Sequence, residues 1–241
     1  MSQNFEELDY RPTELGDLVL RRRRLLSLGG VEVYEVKLGD AFLMSSLFHT
    51  VEDALAHLGL AELSAGRWDV VVGGLGLGYT AVAALEHENV ASLLIVEALH
   101  PVIEWHQRGL VPLGATLTGD SRAGMIHADF FARAQSTEGF DPEEPHRKFH
   151  AVLLDIDHSP RNLLHSRNAA FYEAEGLRAL AAHLHPGGVF ALWSDDPPDD
   201  EFLGTLGTAF GNARAHIVTF DNPLLEEQSA STVYVACKAA D

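Results

Sequence analysis

Cysteine is nearly absent from this chain. Cys237 is its only thiol, which excludes an internal disulfide framework and a cysteine-rich zinc site; in an apolar run near the C-terminus it reads as a buried, inert side chain. Positive charge is also scarce. Lys and Arg number 17 against 35 Asp plus Glu, a formal net charge of −18. Such a chain repels a nucleic-acid backbone, so no DNA or RNA partner is expected. The one basic run, Arg21–Arg24, reads as a solvated strand or hairpin edge where charge discourages edge pairing. No unbroken apolar segment is long enough to span a bilayer, and the acidic start MSQNFEEL is no signal peptide. The expected setting is the cytoplasm, with no membrane partner. The thirteen histidines are scattered over different elements, without H-E-x-x-H or a His/Cys cluster, so no metal is expected. There is no G-x-S-x-G nucleophile elbow, no Lys-Ser/Thr after a glycine loop, and no internal repeat.

What the chain does contain is WDVVVGGLGLGYTAVAAL, from Trp68 to Leu85. A buried strand enters a glycine turn and leaves as a helix, which brings backbone N–H groups to one point. Glycine suits that turn because it tolerates unusual φ/ψ values and lets a ligand approach the backbone. Open α/β folds hold nucleotides and nucleosides this way; a plain tight turn is the alternative. At 241 residues, 46% of them apolar, the chain can bury a full core.

Two units are expected, at 1–65 and 66–241. In the first, Asp17–Leu20, Val31–Lys37 and Ala41–Met44 read as short strands with turns at Gly29-Gly30 and Gly39-Asp40. A helix follows from Thr50 to Leu63, with Thr50 as N-cap and Asp53 three residues on. In the second, the expected strands are Val70–Gly73, Ser92–Val96, Gly124–His127, Ala151–Leu154 and Val189–Trp193. They alternate with helices at Tyr79–Glu86, Pro101–Arg108, Phe130–Ala134 and Ala169–His183, which implies right-handed crossovers and a mostly parallel sheet. Two last strands, Ala215–Phe220 and Ser231–Ala236, have no helix between them and should pair antiparallel. The fold class is therefore α/β: a seven-stranded, mostly parallel, Rossmann-like sheet with its last strand antiparallel, as in class I S-adenosylmethionine-dependent transferases, preceded by a small β-hairpin unit.

The candidate site residues stand at strand ends, where such sheets bind ligands. Gly74, Gly76 and Gly78 form the turn. Glu97, about 20 residues on, can accept hydrogen bonds from both hydroxyls of a ribose, or be a surface carboxylate. Asp129 can cap the next helix and can also accept from a nucleobase amine. Phe130 packs against the ligand or into the core. The fourth strand delivers Asp155 and Asp157, two closely spaced carboxylates able to hold an amine and take its proton, unless one caps the turn at Ser159-Pro160.

The segments VVVGGLGLGYTAVAAL, IVEALHPVIEWHQ, DSRAGMIHADFF, FHAVLLDIDHSP and FYEAEGLRALAAHLHPGGVFALW resemble the spermidine synthase (polyamine aminopropyltransferase) family, in order and spacing, across about Asp69 to Trp193. The resemblance implies that Gly74, Gly76 and Gly78 line the methionine-derived moiety of the nucleoside, that Glu97 holds the ribose, and that Asp129 holds the adenine amine. It implies that Asp155 deprotonates the attacking amine. The co-substrate would be decarboxylated S-adenosylmethionine and the partner a small-molecule amine; the family often forms dimers, so a homodimer is the assembly it allows. The sequence departs from the family pattern in two places. Asp157 stands one position early before His158-Ser159-Pro160, and FLMSSLFHTVEDA lacks the family's Gln-Thr-Glu. A methyltransferase using ordinary S-adenosylmethionine, and a non-catalytic member binding a nucleoside or partner, share the same cofactor features. Met44 to His49 is expected nearest the ligand.

Overall fold

The computed structural model describes residues 4–240. Its first four strands, β1 (Phe5–Thr13), β2 (Gly16–Leu25), β3 (Val31–Leu38) and β4 (Ala41–Ser45), form an antiparallel meander in chain order. β1 is an addition to the sequence reading: FEELDYRPT alternates weakly and is mostly solvent-facing. The arginine run differs as well. It lies on β2, an inner strand, and its charge is matched rather than displayed at an edge. Arg21 Nε and Arg23 Nε donate to opposite oxygens of Glu35, at 2.6 and 2.9 Å, and Glu35 is only 3% exposed. Arg22 pairs with Glu6 at 2.6 Å. The two guanidinium donors offset the desolvation of a carboxylate this deeply buried.

Helix α1 (Thr50–Ala61) connects this sheet to the second one. Its cap position is His49, not Thr50, and the His49 ring meets Asp53 at 2.7 Å. Val51, Leu55, Ala56 and Leu60 are buried. Gly59 brings the helix down onto the main sheet: a Cβ there would stand 2.9 Å from Leu153 Cδ2 and 3.0 Å from the Ala191 Cβ.

The main sheet is built from β5 (Trp68–Gly73), β6 (Val90–Glu97), β7 (Ala123–His127), β8 (Phe149–Leu154), β9 (Leu184–Ser194), β10 (Gly211–Asn222) and β11 (Glu227–Lys238), in the order β10-β11-β9-β8-β5-β6-β7. The β5–β9 pairings are parallel, and β11 runs antiparallel to both β9 and β10. This is the expected mixed sheet. Its central strands alternate between two cores, as a sheet covered on both faces must. Val70, Val72, Ala151 and Leu153 face α1, α2 (Tyr79–Leu85), α3 (His100–Gln107) and α4 (Gly114–Gly119). Val71, Val152, Leu154 and Phe190 face α5 (Phe130–Gln135), α6 (Ala174–Ala182) and α7 (Asp200–Phe210).

Three helical segments differ from the sequence reading. The helix expected over Ala169–His183 divides into a 3-10 segment, Ser166–Tyr172, and α6. α4 and α7 were not anticipated; α7 carries Gly204, Gly207 and two threonines, weak helix formers, and depends on Asp199, which accepts from the Glu201 and Phe202 amides. The β10–β11 ribbon is longer than expected and continues past Thr232–Ser194, the last pair it makes with β9.

Chain order in the sheet reverses at β5: β6 and β7 lie to one side, β8 and β9 to the other. Ligands of open α/β sheets bind at such a switch point, beyond the carboxyl ends of the strands. Here the ends of β5, β6 and β8 are stitched together, Gly74 N donating to Val96 O at 3.0 Å and Asp155 N to Gly73 O at 2.8 Å.

Candidate active site

The turn after β5 uses its alternation economically. Leu75 and Leu77 are buried in the core, which leaves Gly74 and Gly76 half-buried at the surface of the turn, while Gly78 is buried. Gly74, Gly76 and Gly78 have φ of +92°, +47° and +96°, the left-handed region that L side chains avoid. There is also no room for a side chain. A Cβ on Gly74 would run into the Asp155 carbonyl, and one on Gly76 would stand 2.7 Å from Met44 Sδ. Met44, on β4, thus sits over the turn. His106 supports it from behind, its Nε2 2.9 Å from the Gly76 carbonyl oxygen.

A cavity of about 480 Å³ opens over this turn. The structure brings Gly74, Gly76, Gly78, Glu97, Asp129, Phe130 and Asp155 to its walls, together with Met44, Phe48, His49 and Glu52 from the β4–α1 region. Trp193 and Asp195 at the end of β9, and Phe220 and Ser231 on the β10–β11 ribbon, complete the opposite side.

Glu97 is 8% exposed and anchored at both oxygens: Leu75 N donates to Oε2 at 2.9 Å and Leu99 N to Oε1 at 2.7 Å. Burial pushes its carboxyl above the usual range, against the opposing pull of these amides. The anchoring ties the carboxylate to the glycine turn itself. Asp129 caps α5, accepting from Ala132 N at 3.1 Å, and its other oxygen lies 3.4 Å from Arg167 Nη2. Phe130 is 1% exposed and packs among Phe131, Phe140 and Phe171, so it forms the cavity's rear wall as part of the aromatic core.

Asp155 points into the cavity and holds the Thr80 hydroxyl at 2.8 Å. Burial raises its carboxyl to about 6. Glu52, in the first turn of α1, is the site residue that sequence reasoning missed. Burial first, and the Asp155 charge second, push its carboxyl up to about 8. Both groups ionise less readily in the folded chain than in the unfolded one. Their ionisation therefore costs stability as pH rises through their folded values, and nothing is lost below the unfolded ones. Glu52→Gln should melt no differently from the parent near about pH 4 and higher near about pH 9, by roughly 2–4 °C for each kcal/mol relieved. Equal melting temperatures at the alkaline end would show that the Glu52 charge is not strained.

Asp157 does not reach the cavity. It is fully buried, and its carboxylate accepts from Leu164 N at 2.7 Å, Asn168 Nδ2 at 3.0 and 3.1 Å, and Tyr172 Oη at 2.9 Å. It ties residues 158–172 into one loop, the segment that carries His158, His165 and Arg167 to the cavity rim. Asp157→Ala would strand three buried donors at ~1–3 kcal/mol each. A marked fall in melting temperature, with proteolysis beginning within 158–172, is the expected outcome; an unchanged melt would remove this anchoring role.

Among the described residues no group of three or more His, Cys, Asp or Glu side chains is placed to hold a metal ion, and no helix is long and apolar enough to cross a membrane.

No protein-family model and no curated protein matches the sequence. Solved structures do. Spermidine synthase from Thermotoga maritima superimposes with a TM-score of 0.73 at 16% identity, over 98% of this chain and 74% of that one. A spermidine synthase in complex with the transition state analogue AdoDATO gives a TM-score of 0.73 at 17% identity, with the same coverage. At these identities the likeness carries the fold: this chain has the fold of the spermidine synthases, small N-terminal sheet and mixed seven-stranded sheet together.

Proposed function

We propose that this chain is a transferase that moves an aminopropyl group from decarboxylated S-adenosylmethionine to an amine. The observation that carries the reading is the pair Asp155 and Glu52, two carboxylates that line one cavity built on the glycine turn, with no cationic side chain bonded to either among the described residues. Such a site favours a positively charged ligand. The fold it sits in is that of spermidine synthases, one of which has been crystallised with a transition state analogue.

The residues fit a thioether nucleoside. Gly74, Gly76 and Gly78 form the bare backbone turn on the cavity wall, and the methionine-derived moiety lies along that backbone. Glu97 receives the ribose hydroxyls on the carboxylate that its backbone donors hold in place. Asp129 accepts from the adenine amine through the oxygen not used in capping. Phe130 backs the base. When bound, the sulfonium supplies an electrophilic methylene carbon. Asp155 takes the proton of the incoming ammonium, the freed amine nitrogen bonds to that carbon, and the C–S bond breaks with its electron pair passing to sulfur. Positioning and exclusion of water supply most of the remaining acceleration. The described residues up to 65 serve as the cover, with Met44 already seated on the turn.

The charge of the cavity favours the decarboxylated donor. Among the described residues Glu52, Glu97, Asp129, Asp155 and Asp195 line it, no lysine does, and the Arg167 guanidinium faces Asp129. A donor carboxylate would meet carboxylates. Calorimetric titration with the two forms tests this: tighter binding of decarboxylated S-adenosylmethionine is expected, and a preference for the carboxylated form would mark a methyltransferase instead.

A further inference from the structure

Glu52 reaches the cavity from a different layer than every other candidate residue. Asp155, Glu97 and Asp129 stand at strand ends, whereas Glu52 projects from the first turn of α1, the helix that Gly59 holds against β8 and β9. Among the described residues, the charges that act on its carboxyl are those of other acids. Facing it are Asp53 on its own helix, Asp155 after β8, Asp195 after β9 and Tyr79 on α2. Of the histidines on the same cavity, His49 is engaged with Asp53 at 2.7 Å and stacked on the Tyr79 ring at 4.3 Å, His158 lies in the loop after β8, and His165, further along that loop, accepts from the Arg167 amide. Asp155 has a neutral donor, the Thr80 hydroxyl. Two carboxylates facing each other in a half-buried cavity carry a cost when ionised, which a bound proton or a cation from outside the chain relieves.

Resting on the aminopropyl-transfer reading, we infer that Glu52 is the residue that binds the acceptor's ammonium group and holds it beside Asp155. The acceptor enters as R–NH3+ between the two carboxylates. One proton passes to Asp155 and later to solvent, and the nitrogen pair forms the N–C bond as the C–S pair goes to sulfur. The sulfonium charge is thereby transferred to the product nitrogen, a secondary ammonium, which Glu52 still neutralises. Asp155 serves the proton and Glu52 the charge. Phe48, Phe220 and Trp193 offer aromatic surface around the same space, which suits an alkylammonium.

The test uses the full chain and two probes, n-butylamine and 1,4-diaminobutane, titrated calorimetrically with and without saturating methylthioadenosine across about pH 6 to about pH 9. In the parent protein amine binding should tighten as pH rises through this window, because the pair must lose its proton to receive the ammonium. Glu52→Gln should lose about tenfold or more in amine affinity together with that pH dependence, Glu52→Asp should restore part of both, and methylthioadenosine affinity should stay unchanged in each. In turnover, Glu52→Gln should raise the amine KM more than it lowers kcat, the reverse of Asp155→Asn. Parent-like amine affinity and pH profile in the Gln variant would overturn the inference, as would a parent protein that binds methylthioadenosine but neither amine. A parent protein that binds the amines with this pH dependence but no methylthioadenosine would sink the transferase reading and leave the Glu52 assignment standing.

Discussion

Asp155→Asn should lower turnover by about a hundredfold or more while methylthioadenosine affinity barely changes, the range usual for loss of a general base. The substitution keeps the size of the side chain and its bond from Thr80, so the cavity wall stays in place. What disappears is the proton acceptor and one of the two charges facing the ammonium. With a carboxyl at about 6, Asp155 is largely ionised at neutral pH yet basic enough to accept a proton, so turnover in the parent should fall as pH drops below that value. The variant's residual rate should lack this acid limb. Steady-state kinetics across pH, paired with a melting curve to verify folding, reads both effects. Parent-like turnover in the Asn variant would end the assignment.

Glu97→Ala should weaken methylthioadenosine binding by roughly 10- to 100-fold. Two contributions add. The ribose hydroxyls lose a charged acceptor, and the Leu75 and Leu99 amides lose the carboxylate that fixes the glycine turn. A hydrogen bond to a charged group contributes ~1.5–3 kcal/mol, and ~1.4 kcal/mol is a factor of ten in affinity. Glu97→Gln separates the two. Its amide oxygen can still hold one backbone amide, so the turn should survive better than the ribose contacts. If the Gln variant bound the nucleoside as tightly as the parent, the carboxylate would be structural only.

The sheet could be read from the sequence because each central strand is a short apolar run followed by a glycine or an acid. VVVGG, IVE and LLD mark both the strand and its carboxyl end, and a doubly covered sheet places those ends along one line. That is why Gly74, Glu97 and Asp155 could be chosen from their spacing. Where local preference was weak, the reading failed. α7 is held by its cap and by Phe202, Leu206 and Phe210 in the core, which no helix propensity in EFLGTLGTAF announces. The arginine run looked like a solvated edge because its counter-ion, Glu35, comes from the neighbouring strand, and register is a property of the folded sheet. Asp157 and Glu52 show the same limit at the site. Asp157 is two residues from Asp155 in sequence, yet it turns into the loop that it anchors. Glu52 is about a hundred residues away, and only the packing of α1 on β8 and β9 brings it to the cavity.

One measurement tests the central claim most directly. The protein is incubated with an amine panel and, in parallel, with decarboxylated or ordinary S-adenosylmethionine, and the nucleoside product is identified by mass spectrometry. The account predicts methylthioadenosine and an aminopropylated amine from the decarboxylated donor. S-adenosylhomocysteine and a methylated product from the ordinary donor, with no methylthioadenosine from the other, would contradict it.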